Sequence, residues 1–297
     1  MKIIIAGGSG FLGKCLQKYF IVKGHELIIL SRRPAINTEI YWDGEHLGNW
    51  TSQLDGADAL INLSGKSVDC RYTLKNRKMI LDSRIKSTKV LQKAIEMTKN
   101  PPGIWLNTSS ATIYVHSEST LMTEKNGVTG DDFSMDICKQ WEEQFFEKVT
   151  PVVRKVTLRT SIVLGREGGA FSKMKAISLI GLGGKQGSGN QMMSWIHYLD
   201  FCRAVEFIID HAEIKGCINL TAPNPVSNVF FMRTLRKCLH FPFGLNLPEF
   251  LLRTGAFFIR TEAELLLKSR NVYPAILLEN GFEFEFPDIE DALQELT

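Results

Sequence analysis

The chain has 297 residues, with 35 lysines and arginines against 32 aspartates and glutamates, and 44% of its residues are hydrophobic. A surplus of three positive charges is too small to argue for nucleic acid or an anionic membrane, and no apolar run approaches a bilayer span or a secretory signal. A cytoplasmic enzyme or binding protein with a large core is expected, without nucleic-acid or membrane partners.

The first predicted element is a short strand at Ile3, Ile4 and Ile5, a continuous apolar run suited to a parallel strand buried on both faces. Gly7, Gly10 and Gly13 follow three apart and open a helix predicted over Phe11 to Val22. Gly7 suits a tight turn out of the strand, Gly10 a close approach of ligand to backbone, and Gly13 close packing of the helix on the sheet. Together with Phe11 and Leu12 these residues form a pyrophosphate cradle at a helix N-terminus. A second strand, His25 to Leu30, runs into Ser31-Arg32-Arg33-Pro34. A carboxylate there would accept the ribose hydroxyls of NAD, whereas Ser31, Arg32 and Arg33 suit a 2'-phosphate, so the expected cofactor is NADP(H).

Ala57 to Leu63 reads as a third buried strand ending in Asn62-Leu63-Ser64-Gly65, whose small residues let a cofactor lie close. Helical spacing over Leu74 to Met97 places Arg84 either toward the phosphates and nicotinamide ribose or on an exposed face. A further strand, Gly103 to Leu106, leads to Ser109, Ser110 and Tyr114, whose hydroxyls either meet a substrate oxygen or cap turns. A helix around Ile137 to Val149 and a strand over Val156 to Leu164 complete the alternation of a doubly wound parallel sheet.

The second half is less regular. Gly181 to Asn190 carries five glycines in ten residues, as a mobile hairpin tip or a loop closing on substrate would. Met192 to Ile196 reads as a strand, Asp200 as the N-cap of a helix over Phe201 to Ile209, and Gly216 to Leu220 as the last core strand. Phe282, Phe284 and Phe286 alternate with glutamates as in a half-buried strand. Six scattered cysteines without a Cys-x-x-Cys pair, and histidines without ligand spacing, lead us to expect no metal.

These motifs in this order resemble the extended short-chain dehydrogenase/reductases, and more closely their atypical epimerase branch, often described as nucleoside-diphosphate-sugar epimerases. The likeness also takes in Ser83-Arg84, Trp141-Glu142, Leu158-Arg159-Thr160, Trp195-Ile196-His197 and a tail from Arg270 and Pro274 to Gly281-Phe282. It implies an α/β Rossmann fold with a smaller C-terminal substrate lobe: residues 1–165, with 191–222 returning to them, bind NADP(H), and 166–190 with 223–297 form the lobe. Cofactor contacts carried over by position fall on the glycine loop, Ser31, Arg32, Leu63, Ser64 beside Gly65, Arg84 and Val163, and substrate contacts on Gly187 and His197. The implied substrate is a small polar molecule such as a nucleotide sugar. Related folds pair into homodimers, though no face for this is identified.

Catalytic members of the superfamily use a Tyr-x-x-x-Lys helix, in which lysine lowers the tyrosine pKa for proton transfer. Here the corresponding helix places Ser134 and Cys138 in those positions, or Met135 and Lys139 in the shifted register. Tyr19 and Lys23 have the spacing but lie at the wrong end of the first helix. The expectation is an oxidoreductase or epimerase in which Ser109, Ser110 and Tyr114 bind or protonate the reacting oxygen and Cys138 or Lys139 tunes the site. The alternative is an NADP(H) sensor without catalysis.

Overall fold

The computed structural model describes every residue except Asn37, Val149, Pro151, Ile259, Arg260, Thr261 and Ala263. Its strands are β1 (Lys2–Ala6), β2 (Glu26–Ser31), β3 (Glu39–Tyr41), β4 (Ala59–Asn62), β5 (Ile104–Ser110), β6 (Arg154–Thr160), β7 (Ile162–Leu164), β8 (Met192–Met193), β9 (Trp195–His197), β10 (Gly216–Leu220) and β11 (Val226–Ser227). Helices α1 (Phe11–Val22), α2 (Leu74–Met97), α3 (Phe133–Phe146), α4 (Gly169–Ile177) and α5 (Tyr198–Asp210) connect them. Beyond β10 come α6 (Asn228–Cys238), α7 (Glu249–Phe258), α8 (Glu264–Leu267), α9 (Ala275–Glu279) and α10 (Ile289–Leu296).

Seven strands form one parallel sheet in the order β10-β6-β5-β4-β1-β2-β3. Side chains alternate across it, and both faces are covered. Ile3 and Ile5 pack with Leu16 and Phe20 of α1 and Phe201 and Val205 of α5, while Ile4 faces Leu91 of α2 and Trp105. This is the Rossmann-like doubly wound α/β fold expected of the sequence. From β1 the chain adds β2 and β3 on one side and then crosses to β4 on the other, so the carboxyl ends of β1 and β4 bound a crevice at the topological switch point.

A third apolar cluster lies away from this sheet and gathers Phe171, Trp195, Phe231 and Leu293 from α4, β9, α6 and α10. The expected division at residue 223 is not clean, however. Leu277 of α9 and Phe282 pack into the main core with α5 and β10, so part of the tail returns to the sheet.

Other expectations are corrected. α3 starts at Phe133, with Asp132 in the N-cap position, because Ser134, Met135, Ile137 and Cys138 all face inward; its expected end at Val149 lies outside the described residues. The strand over Val156 to Leu164 breaks at Ser161, whose N–H donates to Leu220 O at 3.0 Å, and β7 leaves the main sheet to pair with β9.

No strand forms at Phe282 to Phe286. The backbone N–H groups of Glu285 and Phe286 instead donate to the Asp200 carboxylate at 2.9 and 2.8 Å. Asp200 is therefore not a helix cap. α5 begins at Tyr198 and is capped by His197 Nδ1, which accepts from Leu199 N at 3.3 Å.

The glycine-rich segment is a braced loop. Leu245 N donates to Gly181 O, Gly184 N to Leu245 O, Leu247 N to Lys185 O and Gly187 N to Leu247 O, all at 2.8–3.1 Å. Glycine is needed where strands of the ladder nearly touch: a Cβ on Gly184 would lie 2.3 Å from Leu245 O.

Asp200 is fully buried and holds two backbone donors together with Arg203 at 2.6 Å. Removing an acceptor from buried donors costs about 1–3 kcal/mol per group, so Asp200→Ala is expected to lose about 2–5 kcal/mol in urea denaturation. Wild-type stability in that variant would refute this account of how the tail is fastened.

Candidate functional site

The site is built at the switch point. Gly7 turns out of β1 with φ +75°, and a Cβ there would sit 2.8 Å from Ser64 Oγ. Gly13 is tighter still, since its Cβ would lie 2.1 Å from Gly8 O. α1 is thereby pressed against the loop and its axis aimed at the crevice. Gly10 stands in the N-cap position in extended backbone, without a side-chain cap, and no acidic residue occupies the first turn. The N–H groups and positive dipole end of α1 are left for an anion.

Phe11 seats its ring on the Gly165, Gly168 and Gly169 turn, and Leu12 packs on the main core, so both offer a ligand chiefly backbone. Ser64 Oγ is enclosed without a hydrogen-bond partner among the described residues. Asn62 Oδ1 holds Ser64 N at 3.0 Å, and Asn62 Nδ2 donates to Asn107 Oδ1 at 2.7 Å, tying the ends of β4 and β5.

Ser31 is buried at the end of β2 and accepts from Arg33 N at 3.2 Å. Arg32 and Arg33 are exposed beside it, and among the described residues neither guanidinium has a protein partner. Orphaned donors, a cradle that a Cβ would fill and two free cations suit a dinucleotide bearing a 2'-phosphate. Gly65 and Leu63 line the same edge, and a Cβ on Gly65 would lie 3.2 Å from Arg84 Cζ. Arg84 is not on an exposed face: it is half-buried, placed 5.0 Å over Trp141, and its Nη1 donates to Lys66 O and Ile80 O at 3.0 Å. Val163 lies farther off, with its side chain in the core, leaving only backbone for a ligand.

The expected catalytic group separates into parts. Tyr114 is fully buried; it donates to Asn219 Oδ1 at 2.9 Å and accepts from Arg159 Nη1 at 2.8 Å. It does not face the crevice, because its ring fills a small core with Ile113, Met122 and Val272. Ser109 is likewise committed, donating to Glu142 Oε1 at 2.7 Å. Arg159 holds Glu142 through Nε at 2.9 Å and Nη2 at 2.7 Å. Burial alone would lower the Arg159 pKa, but Glu142 more than offsets it and the group stays a cation.

Ser110 differs. It is half-buried at the carboxyl end of β5, and its hydroxyl meets Thr112 Oγ1 at 2.5 Å.

On α3, Ser134 donates to Glu264 Oε1 at 2.7 Å, and Cys138 is buried one turn further along. Burial pushes the Cys138 thiol up to about 12, against the opposing charges of Arg84 and others, so it stays protonated. Lys139 does not tune this site. It points away and pairs with Asp136 on its own helix at 2.8 Å.

The two expected substrate contacts also move. His197 is 1% exposed, has its ring 3.9 Å from that of Phe286, bonds Glu295 at 3.1 Å and spends its other ring nitrogen on capping α5. Gly187 is held by Leu247 O, and its Cβ would meet Leu267 at 2.7 Å. Tyr19 and Lys23 are bound to Glu206 of α5, far from the crevice. Among the described residues there is no cluster fit to hold a metal, and no helix is long and apolar enough to cross a membrane.

Two residues were given no role in the sequence reading. Tyr72 sets its ring edge-on to Phe133 at 5.0 Å, and Arg270 is half-buried with its charge reaching Cys138. Neither lies in a periodic pattern. Only the resemblance of the tail pointed at Arg270.

A parallel sheet with an open glycine cradle at its switch point and a helix carrying the former dyad positions defines a dinucleotide-binding protein of the short-chain dehydrogenase/reductase type. Comparison with known proteins makes this particular. Residues 3–220 match the NAD dependent epimerase/dehydratase family, and 247–296 match a domain of unknown function, DUF1731. The chain belongs to that epimerase/dehydratase family.

It is 33% identical to the epimerase family protein YfhF of Bacillus subtilis, over 100% of this chain and 98% of that one. It is 31% identical to human epimerase family protein SDR39U1, over 100% of both. The crystal structure of human SDR39U1 with NADPH superposes with a TM-score of 0.91 at 30% identity, covering 100% of this chain and 99% of that one.

The Glu142–Arg159 pair and the Lys139–Asp136 pair make opposite predictions. Glu142→Gln strands a buried guanidinium and is expected to cost about 3–5 kcal/mol by chemical denaturation. Lys139→Ala is expected to leave the denaturation midpoint where it was. The same midpoint for both variants would show that the buried network carries no stability.

Proposed function

We propose that this protein binds NADP(H) across the carboxyl ends of β1, β2 and β4 and acts in the cytoplasm as an oxidoreductase or epimerase on a small polar substrate, with nucleotide sugars the first class to test. The observation that carries this is the uncapped, acid-free N-terminus of α1 together with two arginines after β2 that have no partner among the described residues. NADPH in the human SDR39U1 crystal supports it. Bound there, the nicotinamide would supply hydride transfer.

The chain's own residues do the rest. The α1 amides take the pyrophosphate, Ser31 with Arg32 and Arg33 takes the 2'-phosphate, and Arg84 on Trp141 closes the inner wall. Ser110 and Thr112 are the hydroxyls placed to hold a reacting oxygen.

A second reading is favoured by one specific observation. Where the superfamily keeps tyrosine and lysine, this chain has Ser134 bound to Glu264 and a thiol near 12. That face offers no group that gains and loses a proton near neutral pH, which suits a sensor of NADP(H) state. Absorbance at the reduced-nicotinamide band separates the two. Growth of the band when NADP+-loaded protein meets pooled nucleotide sugars supports an enzyme; a flat trace on protein that binds NADPH tightly supports the sensor.

The cofactor assignment has its own check. Exchanging Arg32 and Arg33 for alanine removes two charge-assisted contacts, each worth about 1.5–3 kcal/mol. NADPH affinity should fall at least ~10-fold while NADH affinity holds. A double variant that still preferred NADPH would show that the 2'-phosphate is read elsewhere.

A further inference from the structure

Three arginines, one buried and two half-buried, lie around α3, and they differ in one respect. Arg159 is satisfied by a bidentate carboxylate, and Arg84 rests on a ring and two carbonyls. Arg270 has neither. Its Nη1 donates to Ser269 O at 2.9 Å, its Nε is buried without a partner, and among the described residues no carboxylate lies within 4.0 Å of the group. Asp132 and Glu264, the acids whose charges reach it, are already held by Lys268 at 2.5 and 2.7 Å.

The backbone around Arg270 is fastened without any help from its side chain. Arg270 N donates to Met192 O at 2.8 Å, Ser194 Oγ to Arg270 O at 2.8 Å, and Ser269 Oγ to Ser117 O at 2.6 Å. The side chain is thus not the reason this strap holds its course. Val272, two residues further on, packs in the same small core as Cys138, on the face of α3 where the superfamily places its reactive pair, and the Arg270 charge reaches that thiol. A neutral thiol there gives no compensation, and burial lowers the pKa of Arg270 as expected of a cation short of a counter-charge.

We propose that the substrate carries an oxyanion, a carboxylate or a phosphoryl group, and that the Arg270 guanidinium receives it beside Cys138. The planar fork of arginine matches such groups bidentately, and most of its five N–H donors are unused. The inference rests on the NADP(H) reading in one respect. The α1 amides and the Ser31 to Arg33 corner account for the anionic groups of the cofactor, so an anion at Arg270 belongs to the substrate.

The test is calorimetric titration of malonate and of uridine diphosphate into wild type, Arg270→Gln and Arg270→Lys, each cofactor-free and NADPH-saturated. At least one probe is expected to bind NADPH-saturated wild type, to weaken at least ~10-fold in Arg270→Gln, and to recover in part in Arg270→Lys, with NADPH affinity unchanged. Malonate alone would mark a carboxylate, and uridine diphosphate alone a phosphoryl group. The proposal is overturned if neither probe binds wild type, if Arg270→Gln binds as tightly, or if that variant loses NADPH affinity in step. Should wild type bind no NADPH, the cofactor reading fails by itself; the cofactor-free titrations still support or overturn Arg270 by the same comparison.

Discussion

The pair between Glu142 and Arg159 holds the far half of the molecule together. It joins α3 to β6, takes the Ser109 hydroxyl from β5, and passes through Tyr114 to Asn219 on β10. Asn219 in turn donates through Nδ2 to Tyr273 O and through its backbone N–H to Glu124 Oε1. Such a pair contributes little net stability against an apolar substitute, but once built it cannot be half removed. Its service is register: three strands, a helix and the tail are fixed to one another by groups with a single satisfactory arrangement.

The near half is governed by contact at the glycines. α1 can aim its free amides at the crevice only because Gly13 lets it lie against Gly8 and Gly7 lets the turn lie against Ser64. One half of the site is thus made by the absence of side chains, the other by a buried web of polar ones. The crevice between them inherits a rigid wall on each side.

What could be read from the sequence followed from locality. Consecutive isoleucines, three glycines at fixed spacing and the arginines after β2 lie within a span of about thirty residues, and their meaning depends on strand–turn–helix geometry that any such sequence shares. The rest depended on partners far along the chain. Tyr114 looked free because Asn219 is 105 residues away, and Asp200 looked like a cap because its true guests are 85 and 86 residues on. His197 carried a ring that suited substrate as well as it suited a helix start. Glu142 and Arg159 were both quoted in the family likeness, but nothing in their spacing shows that they meet.

The braced loop at 181–190 has a consequence for the order in which the molecule is made. Lys185 N donates to Asn246 Oδ1, 61 residues later, and the strap bearing Arg270 comes later still. Strands β1, β2 and β4 and helix α1, which carry the cradle, take no hydrogen bond from that loop or that strap. During synthesis from the N-terminus the residues of the dinucleotide cradle are therefore all present while the opposite wall is still unmade. A ribosome-bound nascent chain would pass through a stage that carries the nucleotide-binding residues and has nothing yet to enclose a substrate beside them.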